Sequence, residues 1–168
     1  PLYVGERTPD LPLAAPLFFG FSLSEFEPRY LARAILEGHV LNLFHGFDRM
    51  PITPREIRVT GGLSRSPSWC QAIADVFQAE TVPVRGEGAA LGAAIHAAWV
   101  WREADLPALQ EIADRFVVFA EEKRTRPDPA ARPKTLVLRR LFNALSRRAR
   151  GEEGEDPFLL RQQLLDLS

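Results

Sequence analysis

The run Ile57-Arg58-Val59-Thr60-Gly61-Gly62-Leu63-Ser64-Arg65-Ser66-Pro67 constrains this chain most. A short β-rich stretch breaks at two glycines, and a polar residue followed by proline then opens a helix. Two adjacent residues without Cβ let a flat ring or a sugar lie against the main chain, and N–H groups at a helix start favour a phosphate. The run is a nucleotide cradle in outline, or else an ordinary tight connection. It is neither G-x-G-x-x-G nor G-x-x-x-x-G-K-[ST], so the dinucleotide and P-loop readings lack their residues.

The neighbouring sequence decides between these readings. Upstream stand Gly5-Glu6-Arg7-Thr8-Pro9 and Leu31-Ala32-Arg33-Ala34-Ile35-Leu36-Glu37-Gly38. Downstream come Gln71-Ala72-Ile73-Ala74-Asp75-Val76 and Gly86-Glu87-Gly88-Ala89-Ala90-Leu91-Gly92-Ala93-Ala94. In that order and at that spacing the chain resembles the C-terminal domain of the FGGY carbohydrate kinases over about residues 2–101, and the G-E-R-T-P run resembles the xylulokinases among them. The second family signature falls across 16–37. Leu31, Ala34, Ile35, Leu36 and Glu37 fit it, whereas Pro16, Phe21 and Tyr30 depart from it.

The resemblance implies an α/β fold: the C-terminal part of an actin-like ATPase (ribonuclease H-like) domain at 1–104, with a helical C-terminal extension at 105–168. It implies a cytoplasmic phosphotransferase that uses ATP and Mg2+ on a ketopentose such as D-xylulose. It places Gly62 where the family's glycine backbone meets the nucleoside, Gly61 as its hinge partner and Ser66 against the adenine. Arg65, within the same loop, faces either the ribose or solvent. No catalytic residue falls in this segment; the base, the sugar site, the phosphate-binding hairpin and the first three strands of a five-stranded sheet are expected before Pro1, in and after an N-terminal domain. The alternative is a trimmed form of a smaller protein.

Composition agrees with a folded domain: 168 residues, 46% hydrophobic and 26% charged, suffice for a buried core. No apolar run is long enough to span a bilayer, and no secretory signal opens the chain. The single cysteine, Cys70, cannot form an internal disulfide, which makes the cytosol the default compartment.

Residues 2–20 read as loop with one short strand at 2–4. Ser24 and Glu27 are expected to form a capping box, with Pro28 in the first turn of a helix running to about Arg49. A strand at 56–60 and a helix at 67–78 follow, the helix carrying Trp69, Ile73 and Phe77 at i, i+4, i+8. Then come a strand at 81–84, with Val82 and Val84 on one face, and an alanine-rich helix at 87–101. Strand, helix, strand, helix at this density predicts parallel pairing. With the first three strands upstream, 56–60 presents an open edge, and such edges favour association, as in a homodimer. A further helix carries Leu109, Ile112, Phe116 and Phe119, and 126–133 reads as a proline-rich loop. A basic helix at 136–150 with Leu138, Leu141, Phe142 and Leu145 inward precedes an acidic break and a short terminal helix.

Residues 123–150 carry ten basic side chains against one acidic, Asp128. The run could contact nucleic acid or an anionic membrane. The adjacent Glu152, Glu153, Glu155 and Asp156, and the near absence of stacking aromatics, favour a solvated helix face, with neither nucleic acid nor membrane as partner. His39, His45 and His96 lack metal-ligand spacing, and Ser64, Ser66 and Ser68 have no partners for a triad. Ser66 also reads as a helix N-cap before Pro67. Glu6 and Arg7 are read as pairing in a turn or facing a cleft, Glu37 as a cap or salt-bridge partner, and Glu87 as a first-turn acid. Two other functions fit these features: a nucleotide-binding regulator or inactive kinase relative, and a basic-helix interaction module.

Overall fold

The structure, a computed structural model, describes residues 10–86, 88–102 and 105–167. The G-E-R-T-P run, the expected strand at 2–4 and Glu87 lie outside the described residues.

The first helix, α1, spans Pro28–Phe47 and opens with Pro28 as expected, since a first-turn N–H has no intrahelical acceptor. The capping box lies two residues earlier than the sequence suggested. Ser22 and Glu25 close it around a 3-10 turn, Leu23–Glu25, with the Ser22 hydroxyl donating to Glu25 Oε2 at 2.7 Å. Glu27 instead takes the N-cap position of α1, with no side-chain capping bond.

Strand β1 is Glu56–Val59, helix α2 is Pro67–Phe77, strand β2 is Glu80–Pro83 and helix α3 is Gly88–Trp101. The strands pair in parallel, Glu56 opposite Glu80 and Val59 opposite Pro83. Among the described residues no strand pairs with the other edge of β1. Helix α4 is Leu106–Phe116, capped by Asp105, whose carboxylate accepts from Ala108 N at 3.1 Å. Phe119 does not continue it; the chain turns extended and Phe119 bridges antiparallel to Val84. Helix α5 is Arg132–Ala149, beginning inside the stretch read as a proline-rich loop because Pro133 is tolerated in a first turn. Helix α6 is Pro157–Asp166, capped by Asp156.

These elements form two compact units, and α2 begins in one and ends in the other. One unit contains α1, the last turn of α2, α5 and α6. Its core is Val137, Leu141, Ala144 and Leu160, with Phe19, Leu145 and Leu164 packed against them. Phe77 meets Phe44 and Phe47 edge-on at 5.3 and 5.4 Å, and the Arg139 guanidinium lies over Phe44 at 4.0 Å while donating to the Val76 carbonyl.

The other unit contains β1, the start of α2, β2, α3 and α4. Val82 and Thr81 are fully buried there. In α2 the small residues Cys70, Ala72, Ala74 and Val76 are buried, while Trp69, Ile73 and Phe77 are only half-buried. Burial therefore follows close approach of backbone rather than side-chain size. The same principle governs the start of α3, where a Cβ on Gly88 would stand 2.0 Å from Thr60 Oγ1.

Candidate nucleotide-binding site

The end of β1 runs into a turn that only glycine makes without strain. Gly61 has φ 89° and ψ −175°, a region closed to residues with a Cβ. A 3-10 turn, Gly62–Arg65, follows, with the Ser64 amide and hydroxyl both donating to the Gly61 carbonyl at 3.2 and 2.7 Å. Gly62 is not at positive φ, and a Cβ there would meet nothing within 4 Å. The two glycines therefore differ: Gly61 is required by conformation, and Gly62 leaves open space.

Ser66 is extended, at φ −89° and ψ 118°, and its carbonyl accepts the first helical bond of α2, from Cys70 N at 3.1 Å. That is the N-cap position the sequence assigned to it. Cys70 is buried behind the turn, its thiol directed at the Ser64 carbonyl at 3.5 Å; burial raises its pKa, and the nearby Lys123 charge opposes that rise.

Gly61, Gly62, Ser64 and Arg65 form one wall of a cleft of about 330 Å³. The end of β2 and the loop after it, Pro83 to Gly86, form the second, and Ala120, Glu122 and Lys123 the third. Three of the four predicted site residues, Gly61, Gly62 and Arg65, thus line one cleft; Ser66, at the end of the same turn, is not among the lining residues, and Ser64 is. Arg85 pairs with Glu122 at 2.8 Å. Among the described residues neither Arg65 nor Lys123 has a carboxylate partner.

The third wall escaped the sequence reading. Residues 117–125 run along the outer edge of β2, with reciprocal bonds between Thr81 and Thr125 of 2.9 and 2.8 Å, and with Ala120 N to Pro83 O and Arg85 N to Val118 O both at 2.8 Å. Arg124 fastens this strap. Its guanidinium reaches Glu56 at 2.7 Å, Glu80 at 3.1 Å and Glu121 at 2.7 Å, drawing together two carboxylates that face each other across the parallel strands. The hydrogen bond from Arg124 holds the Glu56 carboxyl below its ordinary pKa, with Arg58 acting in the same direction. The run Phe116-Val117-Val118-Phe119, rich in β-branched and aromatic residues, was the available signal of an edge strand.

Other sequence candidates are structural. Glu37 pairs with Arg33 at 2.6 Å one turn away on α1. His39 contacts the Ile35 carbonyl, His45 lies beside the Phe142 ring and His96 beside Trp99. Much of the basic run is paired: Arg126 with Glu80, Arg140 with Glu155, and Arg147 and Arg150 with Glu152.

Residues 1–101 match the C-terminal domain of the FGGY family of carbohydrate kinases. The chain is 35% identical to the xylulose kinase of Haemophilus influenzae over 132 residues, covering 76% of this chain and 26% of that one. It is 38% identical to the gluconokinase of Bacillus licheniformis over 104 residues, 56% of this chain and 20% of that one. The crystal structure of xylulose kinase from Rhodospirillum rubrum superimposes with a TM-score of 0.68 at 30% identity, over 83% of this chain and 28% of that one. The chain thus spans about a quarter of the length of these relatives, or less. Its fold is the C-terminal part of an actin-like ATPase domain with a helical extension. The parallel strands, the glycine turn between β1 and α2, and the matched sequence agree, and the chain belongs to the FGGY family of carbohydrate kinases.

Proposed function

We propose that this segment, with the ATP-binding domain at 1–104 and its extension at 105–168, supplies the adenosine-binding part of a carbohydrate kinase that transfers a phosphoryl group from MgATP to a ketopentose such as D-xylulose. The observation that carries the reading is the Gly61-Gly62 turn, whose second glycine leaves open space beside a cleft that is also lined by Arg65 and Lys123, two cations without a carboxylate partner among the described residues. A purine nucleoside would lie over the Gly62 backbone, with Gly61 fixing the turn and Arg65 reaching the ribose or phosphates. Ser66, at the N-cap of α2, is the polar group the family places against the adenine. Xylulose is favoured over gluconate because similarity to xylulose kinases reaches 76% and 83% of the chain, against 56% for the gluconokinase.

These residues bind and orient the nucleotide; none is assigned to proton transfer, and the base and sugar groups are placed in an N-terminal domain. Phosphoryl transfer depends chiefly on such positioning and on exclusion of water by domain closure. Among the described residues no cluster of three His, Cys, Asp or Glu side chains could hold a metal ion, and no step through Mg2+ is assigned to this segment. The edge of β1 that pairs with no strand among the described residues is the proposed surface for strands of the same domain or for a second copy. Among the described residues no helix is long and apolar enough to cross a membrane.

The test is MgATP-dependent phosphorylation of D-xylulose and D-gluconate by the protein carrying this segment. Transfer to xylulose in preference to gluconate is expected. Nucleotide binding without transfer to any sugar would favour the regulator reading instead.

A further inference from the structure

We infer that Lys123 is a nucleotide-positioning residue of the cleft, contacting the anionic part of ATP and giving the cleft a preference for charged nucleotides over neutral adenosine; this rests on the nucleotide reading above. Lys123 lies outside the stretch that matches the family domain, 1–101. It reaches the cleft because residues 117–125 bind the outer edge of β2 and then coil into a 3-10 turn, Glu121–Lys123, closed by Lys123 N donating to Ala120 O at 2.8 Å. The next residue, Arg124, is fastened to Glu56, Glu80 and Glu121, so the backbone presenting Lys123 is anchored to both strands.

The charge pattern of the cleft selects the ligand chemistry. Arg85 is offset by Glu122, which leaves Arg65 and Lys123 as cations without a carboxylate partner among the described residues. Both also border an adjoining depression together with Ser64, Cys70, Glu122 and Arg124, so the two cations share two neighbouring recesses. Two like charges directed at one cleft repel each other, and an anion between them removes that repulsion and gains two charge-assisted contacts. Lysine suits a phosphate as a compact point charge. Because the Lys123 side chain is exposed, replacing it removes charge from the cleft with little loss of packing.

The experiment titrates ATP, ADP and adenosine separately against the wild-type protein carrying this segment and against Lys123→Ala, Lys123→Gln and Lys123→Arg, with folding checked by thermal unfolding. ATP and ADP affinities of the Ala and Gln variants should fall about fivefold, the upper end for one exposed ion pair. Adenosine should change less than about twofold, Lys123→Arg should restore ATP binding, and the wild type should lose ATP affinity more steeply with added salt than Lys123→Ala does. Folded Lys123→Ala and Lys123→Gln that bind ATP like the wild type, or that lose adenosine as much as ATP, would overturn the assignment while leaving the cleft in place. A wild type that binds neither ATP nor adenosine would overturn the nucleotide reading and this assignment with it.

Discussion

Replacing the two glycines one at a time separates conformation from ligand space. Gly61 sits at φ 89° and ψ −175°. An alanine forced into that region costs about 1–3 kcal/mol, which for a chain of this size lowers the melting temperature by roughly 2–12 °C. Gly62 has no positive φ, and nothing stands within 4 Å of its would-be Cβ. Gly62→Val therefore adds no strain of that kind, and its stability should stay within about 0.5 kcal/mol of wild type, as for an ordinary surface substitution. The branched side chain would instead fill the space proposed for the nucleoside. ATP affinity should fall at least about tenfold, on the order of 1.4 kcal/mol, with sugar binding measured without nucleotide unchanged. Thermal unfolding and calorimetric titration of ATP and sugar, run on both variants in the protein carrying this segment, give the six numbers required. A folded Gly62→Val protein that binds ATP normally would refute the adenosine cradle. A Gly61→Ala protein that melts with the wild type would show that the turn does not need glycine.

Two further outcomes are expected. Gly88→Ala drives a Cβ to 2.0 Å from Thr60 Oγ1 and 2.8 Å from Thr60 Cβ, so it should destabilise by about 1–3 kcal/mol, and Thr60→Gly should recover most of that loss in a double-mutant cycle. Additive losses would show that the contact is not the cause. Burial, reinforced by Arg49 and Arg150, holds the His45 imidazole below its ordinary pKa of 6.5, which favours the neutral form in the folded state. Stability is then full above pH 6.5, falls as pH drops below it, and levels off beneath the folded-state pKa. Urea unfolding on both sides of that pH should show the slope in the wild type and a reduced slope in His45→Phe; equal slopes would exclude His45 as the titrating group.

The local elements were legible because their signals are local. Pro28 marks the first turn of α1, the glycine pair ends β1, Pro67 opens α2, and strand–helix spacing requires the parallel pairing of β1 with β2. Matched motifs across residues 1–101 likewise identify the family. Even so, the capping box slid from Ser24 and Glu27 to Ser22 and Glu25, since two serines two residues apart offer equivalent caps and only the path of the preceding loop selects one. The resemblance assigned Gly62 to the nucleoside and Gly61 to the hinge; φ and the space beside each Cβ supply the physical difference between them, which the residue type alone does not. What tertiary structure decided lies in contacts between residues far apart in the chain. Phe119 leaves its expected helix to bridge Val84, and Arg124 joins Glu56 and Glu80, residues 68 and 44 positions away. An edge strand and an ion-pair cluster take their partners from whatever the fold brings near, and no periodicity within residues 117–125 specifies the β2 edge they cover. That is why the glycine wall of the cleft could be read from residues 57–67, while the wall bearing Lys123 became visible only once the chain had folded back upon β2.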